Sequence, residues 1–287
     1  MEKLILVQAI GSPFDLNISS CGKRKPKLFS WTNSPQDIKV RIDHALHDGL
    51  SDNNKTGKFG WTCESKAITR GLFDGLKNNF SRYKESYSKI FTYDEQLIEL
   101  DPDFFIYCPA GSNAPWTPDE EYGVHDKTKL VSFLCSNNSM TDGHRYRLSW
   151  AERLQDKVDV YGGACGSRQI GGSHWYHHQR KTEAMNDYMF SIAIENVKMD
   201  CYYTEKITDC FANGVIPVYY GSKSVAKHFN EDGIIFLEED FDTSQLSKEL
   251  YYSKLEAVKD NLNRVRSMYT SDDFLFSKIS LLRKELL

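Results

Sequence analysis

The sequence predicts an α/β protein with two domains, and three observations support this. The chain has 287 residues, whereas a typical domain has about 150, so two domains could each bury a core. From about residue 129 onward, apolar runs rich in branched and aromatic side chains alternate with helix-like stretches, as in a parallel sheet with crossover helices. Hydrophobic residues make up 40% and charged residues 26% of the chain, which excludes a disordered or fibrous protein.

The second half contains the more regular alternation of strands and helices. Its apolar runs predict strands at 130–136, 158–161, 189–195, 216–220 and 233–237, with helices at 145–155, 205–212 and 222–229. The stretch from Leu246 onward is predicted to be helical throughout. Ligands of such sheets bind beyond the carboxyl ends of the strands. We therefore expect segments 136–147, 196–206 and 221–224 to line one crevice.

The first half is less regular. Apolar runs predict strands at 4–8, 89–92 and 103–108, and helical spacing predicts a helix from Ile68 to Tyr83. The polar stretch 11–60 carries no strand prediction. Turn residues between 111 and 128 mark a boundary, so the expected domains are residues 1–128 and 129–287.

Charge and cysteine pattern exclude several classes of protein. Lysine and arginine number 36 against 40 acidic residues, so there is no basic excess to attract nucleic acid. No apolar run reaches the roughly 18 residues that span a bilayer, and none predicts a signal peptide. The seven cysteines are widely spaced and contain no CxxC pair, which favours thiols in a reducing cytoplasm.

The densest chemical signal lies in residues 190–229. A buried strand ends at Glu195 and Asn196, and Thr204 begins a helix whose first turn holds Glu205 and Lys206. A helix N-terminus with an adjacent lysine suits a diphosphate. Spacing alone leaves open the alternative that Thr204 is a plain N-cap and Glu205 an acid favoured by the helix dipole.

This segment resembles the donor-binding region of glycosyltransferase family 10, the α-1,3/4-fucosyltransferases. The resemblance rests on the acidic residue and Asn at the strand end, on the Tyr-x-Thr-Glu-Lys helix start at 202–206 and on Pro-Val-Tyr-x-Gly at 217–221. It covers residues 129–237 well and the first half weakly. It implies a GT-B-type fold of two facing Rossmann-like domains, with acceptor-side residues 1–128 and donor-binding residues 129–287. It also implies inverting transfer of L-fucose from GDP-fucose to a glycan or glycoconjugate.

The resemblance also implies which residues bind the donor. Lys206 would contact the diphosphate, Tyr202 and Glu205 the nucleotide and sugar, and Glu195 and Asn196 would belong to the same site.

An arginine three residues before an aromatic one is a further family feature. Arg147 precedes Trp150 in this way and becomes the expected phosphate clamp. Arg145 is the rival, and either arginine could instead solvate a helix face.

An inverting transfer needs a base beside the acceptor hydroxyl. The family uses a glutamate in a turn after an aromatic strand, which implies Glu64 in the stretch KFGWTCES, although Cys63 stands in place of the family's glycine. Asp94 and Glu95 are the alternatives. Glu64 could equally be an acid at a helix start or a surface turn.

We expect no obligatory metal and no cofactor beyond the GDP-sugar substrate, because no Asp-x-Asp pair ends a strand and the family binds its donor through basic groups. The histidines 174, 177 and 178 lack further suitably spaced ligands, so they are expected in a mobile polar loop. Two other functions stay open: transfer from another nucleotide sugar, and a catalytically silent glycan- or nucleotide-binding module.

Overall fold

The structure, a computed structural model, describes residues 5–22, 24–164 and 181–285, with side chains through Leu282. The chain divides into two compact units: Met1–Asn113 with Tyr269–Leu287 form unit 1, and Ala114–Met268 form unit 2. This differs from the expected domains 1–128 and 129–287. The boundary falls earlier, and the last stretch of chain returns to unit 1, because Leu275, Phe276 and Ile279 pack into its hydrophobic core.

Unit 1 contains a parallel sheet. Its described strands are β1 (Ile5–Ile10), β2 (Phe29–Thr32), β3 (Lys39–Ile42), β4 (Lys58–Trp61), β5 (Lys89–Thr92) and β6 (Phe105–Tyr107). They are ordered β2-β1-β3-β4-β5-β6, and every neighbouring pair is parallel. The carboxyl ends of all these strands therefore lie along one edge.

Two of these strands, β2 and β3, lie in the stretch 11–60, where the sequence predicted none, and β4 (Lys58–Trp61) is the aromatic strand that the resemblance implied before Glu64. Each of the three strands has only four residues, and alternation over so short a stretch is a weak signal within a polar segment. In β3, the buried Val40 and Ile42 alternate with the charged Lys39 and Arg41. Pairing with β1 and β4 rather than composition determines this strand.

The helices of unit 1 are α1 (Ala45–Asp48), α2 (Leu72–Asn78), α3 (Phe80–Ser86), α4 (Glu95–Leu100) and, after unit 2, α9 (Ser271–Glu285). The single helix predicted from Ile68 to Tyr83 is thus two helices, broken at Asn79. The start of α9 is fixed by Asp272, a fully buried carboxylate. It accepts hydrogen bonds from the Ser20 hydroxyl at 2.6 Å and the Trp31 indole N–H at 2.7 Å.

Unit 2 contains a second parallel sheet. Its described strands are β7 (Lys129–Leu134), β8 (Asp159–Tyr161), β9 (Tyr188–Ile194), β10 (Ile216–Tyr220) and β11 (Ile235–Phe236). They are ordered β11-β10-β9-β7-β8, again with parallel neighbours. All seven residues of β9 are buried, as an apolar run without alternation indicates for a central parallel strand. The predicted α/β fold with two parallel sheets is confirmed.

The described α-helices of unit 2 are α5 (Asp142–Leu154), α6 (Glu205–Ala212), α7 (Lys248–Ser253) and α8 (Leu255–Arg266). The helix expected at 222–229 is a shorter 3₁₀ helix, Lys223–Lys227. The continuous helix expected from Leu246 onward is divided into α7, α8 and α9. Within the described residues, no helix combines the length and the apolar character that crossing a membrane requires.

Candidate functional site

Two chain segments at the carboxyl edge of the unit 2 sheet are joined by Thr141. As N-cap of α5, its hydroxyl accepts the backbone N–H of His144 at 3.1 Å. The same hydroxyl donates to the carbonyl of Asn196, after β9, at 2.8 Å. Gly143 permits this approach, since a Cβ there would lie 2.4 Å from the carbonyl oxygen of Glu195. The first turn of α5 therefore lies against the end of β9.

A third segment, the turn after β10, meets the loop between β9 and α6. The backbone N–H of Cys201 donates to the hydroxyl of Ser224 at 2.9 Å, and the Ser222 hydroxyl bonds the carboxylate of Asp200. Cys201 has a positive φ of 57°, which an L residue adopts only when its surroundings hold it there. The segments 136–147, 196–206 and 221–224, which were expected to line one crevice, are thus in contact with one another.

Arg147 lies on α5 and is 5% exposed. One of its terminal N–H groups donates to the hydroxyl of Ser136 at 2.8 Å, whereas its Nε is buried without a hydrogen-bond partner among the described residues. Arg145, the rival, has a 56% exposed side chain that pairs with Asp142. A buried guanidinium with an unused donor suits anion binding, so the geometry favours Arg147.

Glu195 lies at the end of β9 and is fully buried. Its carboxylate accepts the backbone N–H of Thr204 at 2.9 Å and the hydroxyl of Thr204 at 2.8 Å. Burial raises its pKa, although the adjacent Lys206 opposes the shift. The sequence predicted Glu195 to be among the donor contacts. In the structure, its carboxylate holds Thr204, the N-cap residue of α6.

Lys206 is in the first turn of α6, with a side chain that is 24% exposed. Its ammonium donates to the Thr204 hydroxyl at 3.0 Å and lies 3.5 Å from one carboxylate oxygen each of Glu195 and Glu205. The predicted residues Glu195, Glu205 and Lys206 thus form one connected group of charges.

Glu205 is 8% exposed. Burial acts to raise its pKa, but the positive charges of Lys206 and Lys181, together with hydrogen bonds from Thr204 and Lys181, outweigh burial and lower the pKa to about 2. Glu205 is therefore an ionised acceptor at neutral pH. Lys181 was missed by the sequence reasoning, because its carboxylate partners lie more than twenty residues away in the chain.

Asn196 and Tyr202 both lie in the segment between β9 and α6. Asn196 is 9% exposed, and its side-chain oxygen is buried without a hydrogen-bond partner in the described part of the chain. Tyr202 is 4% exposed, so it lies within the loop before α6 rather than on the surface.

His144 is a second residue that the sequence reasoning missed. Its Nδ1 accepts the backbone N–H of Thr141 at 3.3 Å, which leaves Nε2 to carry the proton of the neutral ring. Burial and the positive charges of Arg147, Lys206 and Arg145 lower its pKa to about 4. The ring is thus neutral at pH 7, mainly because it is buried, and the neighbouring cations act in the same direction.

The predicted base, Glu64, is in unit 1, in the turn after β4. Its backbone N–H donates to Asp43 Oδ1 at 3.1 Å, beside the N–H of Cys63, which donates to the same oxygen at 2.8 Å. Its carbonyl accepts the Tyr93 hydroxyl at 2.8 Å. The backbone of this turn is therefore fixed, and the Glu64 side chain is half-buried.

Asp43 supports this turn from the end of β3 and was also missed, because a single aspartate with a φ of 50° produces no sequence pattern. Burial raises the pKa of Asp43 to about 7, against the hydrogen bonds from Glu64 and Cys63.

The alternative bases, Asp94 and Glu95, lie at the start of α4. Asp94 is 1% exposed, and its carboxylate accepts the backbone N–H of Leu97 at 2.9 Å as a helix N-cap. Glu95 is the first residue of α4. Asp94 therefore has a structural role as the N-cap of α4, and the assignment of the base to Glu64 stays a prediction.

Among the described residues, no group of three or more His, Cys, Asp or Glu side chains is arranged to hold a metal ion. The histidines 174, 177 and 178 lie outside the described residues.

The match to a known family covers much of unit 2. The sequence model "Glycosyltransferase family 10 (fucosyltransferase) C-term" matches residues 124–267, which is half of the chain. The chain belongs to glycosyltransferase family 10. The resemblance drawn from the Tyr202–Lys206 segment is thereby confirmed.

Family 10 relatives are similar over part of their length. The α-(1,3)-fucosyltransferase FucT of Helicobacter pylori is 32% identical over 109 residues, which are 38% of this chain and 21% of that protein. The α-(1,3)-fucosyltransferase B of Drosophila melanogaster is 28% identical over 153 residues, which are 51% of this chain and 34% of that protein. The chain thus matches between a fifth and a third of each relative.

Solved structures resemble this family 10 chain in fold. A crystal structure of an α1,3-fucosyltransferase matches with a TM-score of 0.51 and 17% identity, covering 94% of this chain and 83% of that one. A crystal structure of an α1,3-fucosyltransferase with GDP also gives a TM-score of 0.51 and 17% identity, covering 91% and 82%. The predicted GT-B-type α/β fold class is confirmed.

Proposed function

We propose that this family 10 chain is an inverting glycosyltransferase that transfers L-fucose from GDP-fucose to a glycan or glycoconjugate. One observation carries the proposal. Within the family match, the buried Arg147 and the ammonium of Lys206 belong to segments that meet at the carboxyl edge of one parallel sheet, where nucleotides bind in α/β folds. Two cations of different geometry suit a diphosphate.

The choice of donor draws on the relatives. The Helicobacter pylori protein is named an α-(1,3)-fucosyltransferase, and one solved structure of similar fold is an α1,3-fucosyltransferase with GDP. On that basis we propose that this chain also uses GDP-fucose as its donor.

The proposed reaction assigns each residue a defined task. The Glu64 carboxylate takes the proton of the acceptor hydroxyl, whose oxygen forms a bond to the anomeric carbon of the sugar from the face opposite the diphosphate. The bond between that carbon and the phosphate oxygen breaks, and GDP leaves with the electron pair. Arg147 and Lys206 stabilise the charge that develops on the leaving diphosphate. These side chains supply the positive charge that a divalent metal supplies elsewhere, so the proposal includes no obligatory metal.

A thermal-shift screen with GDP, UDP, GDP-fucose and UDP-sugars tests the donor. A ligand of the folded state adds about 2.7 kcal/mol of stability at a hundredfold excess over Kd, which raises the melting temperature by several degrees. We expect GDP and GDP-fucose to stabilise the chain and the uridine compounds to have no effect. Stabilisation by UDP alone would instead indicate another nucleotide sugar.

Transfer or hydrolysis of GDP-fucose then separates an enzyme from a silent binding module. Release of GDP from GDP-fucose, with fucose appearing on an acceptor, is the expected result. Binding of GDP-fucose without either reaction would contradict the enzymatic function and leave the binding module.

We also propose that the protein resides in the cytoplasm. Cys63, Cys108 and Cys210 are buried and form no disulfide. Cysteines without disulfides are typical of proteins in a reducing compartment. Localisation of a tagged full chain in its source cells is the test, and a secreted product would contradict the proposal.

A further inference from the structure

Lys181 is a buried lysine for which the proposed transfer reaction has no task. Its side chain is 8% exposed, and its ammonium lies 2.6 Å from Asp209 Oδ2 and 3.4 Å from Glu205 Oε1. Lysine is rarely buried to this degree unless its charge is paired. The two carboxylates on α6 supply that pairing.

Asp209 anchors Lys181. Its other carboxylate oxygen, Oδ1, accepts the backbone N–H groups of Trp116 and Thr117 at 2.7 and 2.9 Å, so the Asp209 side chain is fixed independently of the lysine. The indole ring of Trp116 lies over the ammonium, with 4.4 Å between Nζ and the ring centroid. Lys181 is therefore held in one position and shielded from water.

Glu205 contacts two ammonium groups, and these are not equivalent. Lys206 also lies 3.5 Å from Glu195, and under the proposed function it binds the diphosphate. If Lys206 turns towards a phosphate, Glu205 loses part of its compensating charge. Lys181 cannot be withdrawn in this way, because Asp209 and Trp116 hold it. It is the counter-charge that stays with Glu205.

We propose that Lys181 is a positioning residue, which keeps the Glu205 carboxylate oriented and ionised to accept hydrogen bonds from the ribose hydroxyls of the donor nucleotide while Lys206 binds the diphosphate. This inference rests on the proposed function. Its chemistry is that of a vicinal diol donating to a carboxylate, the mode by which an acidic residue recognises ribose in many nucleotide sites. Lys181 acts through Glu205 and does not touch the ligand.

The test measures ribose recognition in the full chain. Isothermal titration gives Kd for GDP and for 2′,3′-dideoxy-GDP, and the ratio of the two isolates the contribution of the hydroxyls. We expect the unsubstituted chain to bind GDP at least tenfold more tightly, and Lys181→Met to reduce this ratio to less than a third of its value. Lys181→Arg should restore most of it. Lys259→Met, on the exposed Lys259 of α8, is the matched control and should leave the ratio unchanged.

Two further measurements separate positioning from a role in folding. Once Glu205→Gln is present, adding Lys181→Met should change the ratio no further. In Lys181→Met alone, Glu205 loses a positive neighbour while the carboxylates of Glu195 and Asp209 and the ammonium of Lys206 remain, so the pKa of Glu205 rises from its low value of about 2. The ratio should therefore begin to fall at a higher pH in Lys181→Met than in the unsubstituted chain.

Each contrary outcome is distinct. If the unsubstituted chain does not bind GDP, the proposed function and this inference both fail. If it binds GDP and Lys181→Met leaves the ratio and its pH dependence unchanged, only the inference fails. If Lys181→Met does not fold, Lys181→Gln, which retains a donor for Asp209, carries the test. Failure of both to fold would overturn the inference, since Lys181 would then act on the fold itself.

Discussion

The ammonium of Lys206 lies 3.5 Å from the carboxylate of Glu195, a side chain with no exposure to solvent. A buried carboxylate requires a nearby positive charge or hydrogen-bond donors. Lys206 therefore has two roles: it compensates the charge of Glu195 in the folded chain, and under the proposed function it binds the donor. A single substitution of Lys206 would affect both stability and donor binding.

The first prediction separates these two tasks. Lys206→Met leaves Glu195 without its ion pair, so the chain should lose stability by about 3 kcal/mol and should bind GDP more weakly. Adding Glu195→Gln should restore most of the stability, because the remaining amide needs no counter-charge, but not the affinity for GDP. Chemical denaturation and titration with GDP measure the two effects. Recovery of GDP affinity in the double variant would contradict a diphosphate contact by Lys206.

The second prediction concerns Arg147. Arg147→Met removes a charge-assisted hydrogen bond to the diphosphate, which is worth about 1.5 to 3 kcal/mol and corresponds to about a 10- to 100-fold loss of GDP affinity. Arg145→Met, on the same helix but exposed, is the matched control and should change the affinity little. The reverse ranking would identify Arg145 as the clamp.

The third prediction concerns Glu64. Glu64→Gln keeps the size of the side chain and removes its basicity, so turnover should fall about 10²- to 10⁴-fold with GDP affinity nearly unchanged. Asp94→Asn is the control, because an asparagine still caps α4, and its turnover should stay near normal. Normal turnover in Glu64→Gln together with a loss in Asp94→Asn would assign the base to the segment after β5.

The fourth prediction concerns the pH dependence of stability. The pKa of Asp43 is raised from 3.8 to about 7 by burial, so the folded chain binds more protons than the unfolded chain between these values. The stability contributed by the protonated group is therefore lost as pH rises through the folded pKa, by at most about 1.4 kcal/mol per pH unit. Asp43→Asn should remove this decline, since its amide oxygen can still accept the N–H groups of Cys63 and Glu64.

Thermal melts of both proteins from pH 4.5 to 8 check this. The melting temperature of Asp43→Asn should improve relative to that of the unsubstituted chain as pH rises. Parallel curves would show that Asp43 does not titrate in this range.

The fifth prediction concerns metals. Because Arg147, Lys206 and the N-terminus of α6 can together neutralise a diphosphate, transfer activity should persist in excess EDTA. Loss of activity in EDTA that manganese or magnesium restores would show that a divalent cation takes part.

The sequence predicted unit 2 far better than unit 1, for physical reasons. The strand β9 is buried on both faces and therefore appears as an apolar run, while α6 carries its own start signal in Thr204. By contrast, β3 has only four residues, in which buried apolar side chains alternate with charged ones. Its strand conformation depends on pairing with β1 and β4.

The residues of the candidate site likewise fall into two groups, those that the sequence predicted and those that it missed. Arg147, Glu205 and Lys206 lie in short motifs that a single sequence reveals. Lys181 meets Asp209 across 28 positions, and Asp43 meets Glu64 across 21. Residues that support a site from distant segments leave no local spacing to detect.

The return of α9 to unit 1 has a consequence for synthesis on the ribosome. Unit 2 is inserted between two parts of unit 1, so it emerges before the helix that supplies Leu275, Phe276 and Ile279 to the unit 1 core. Domains generally fold as they are completed during translation. The strands of unit 1 emerge first, but its core is completed only after unit 2 has been synthesised. We therefore expect unit 2 to complete its fold before unit 1 does.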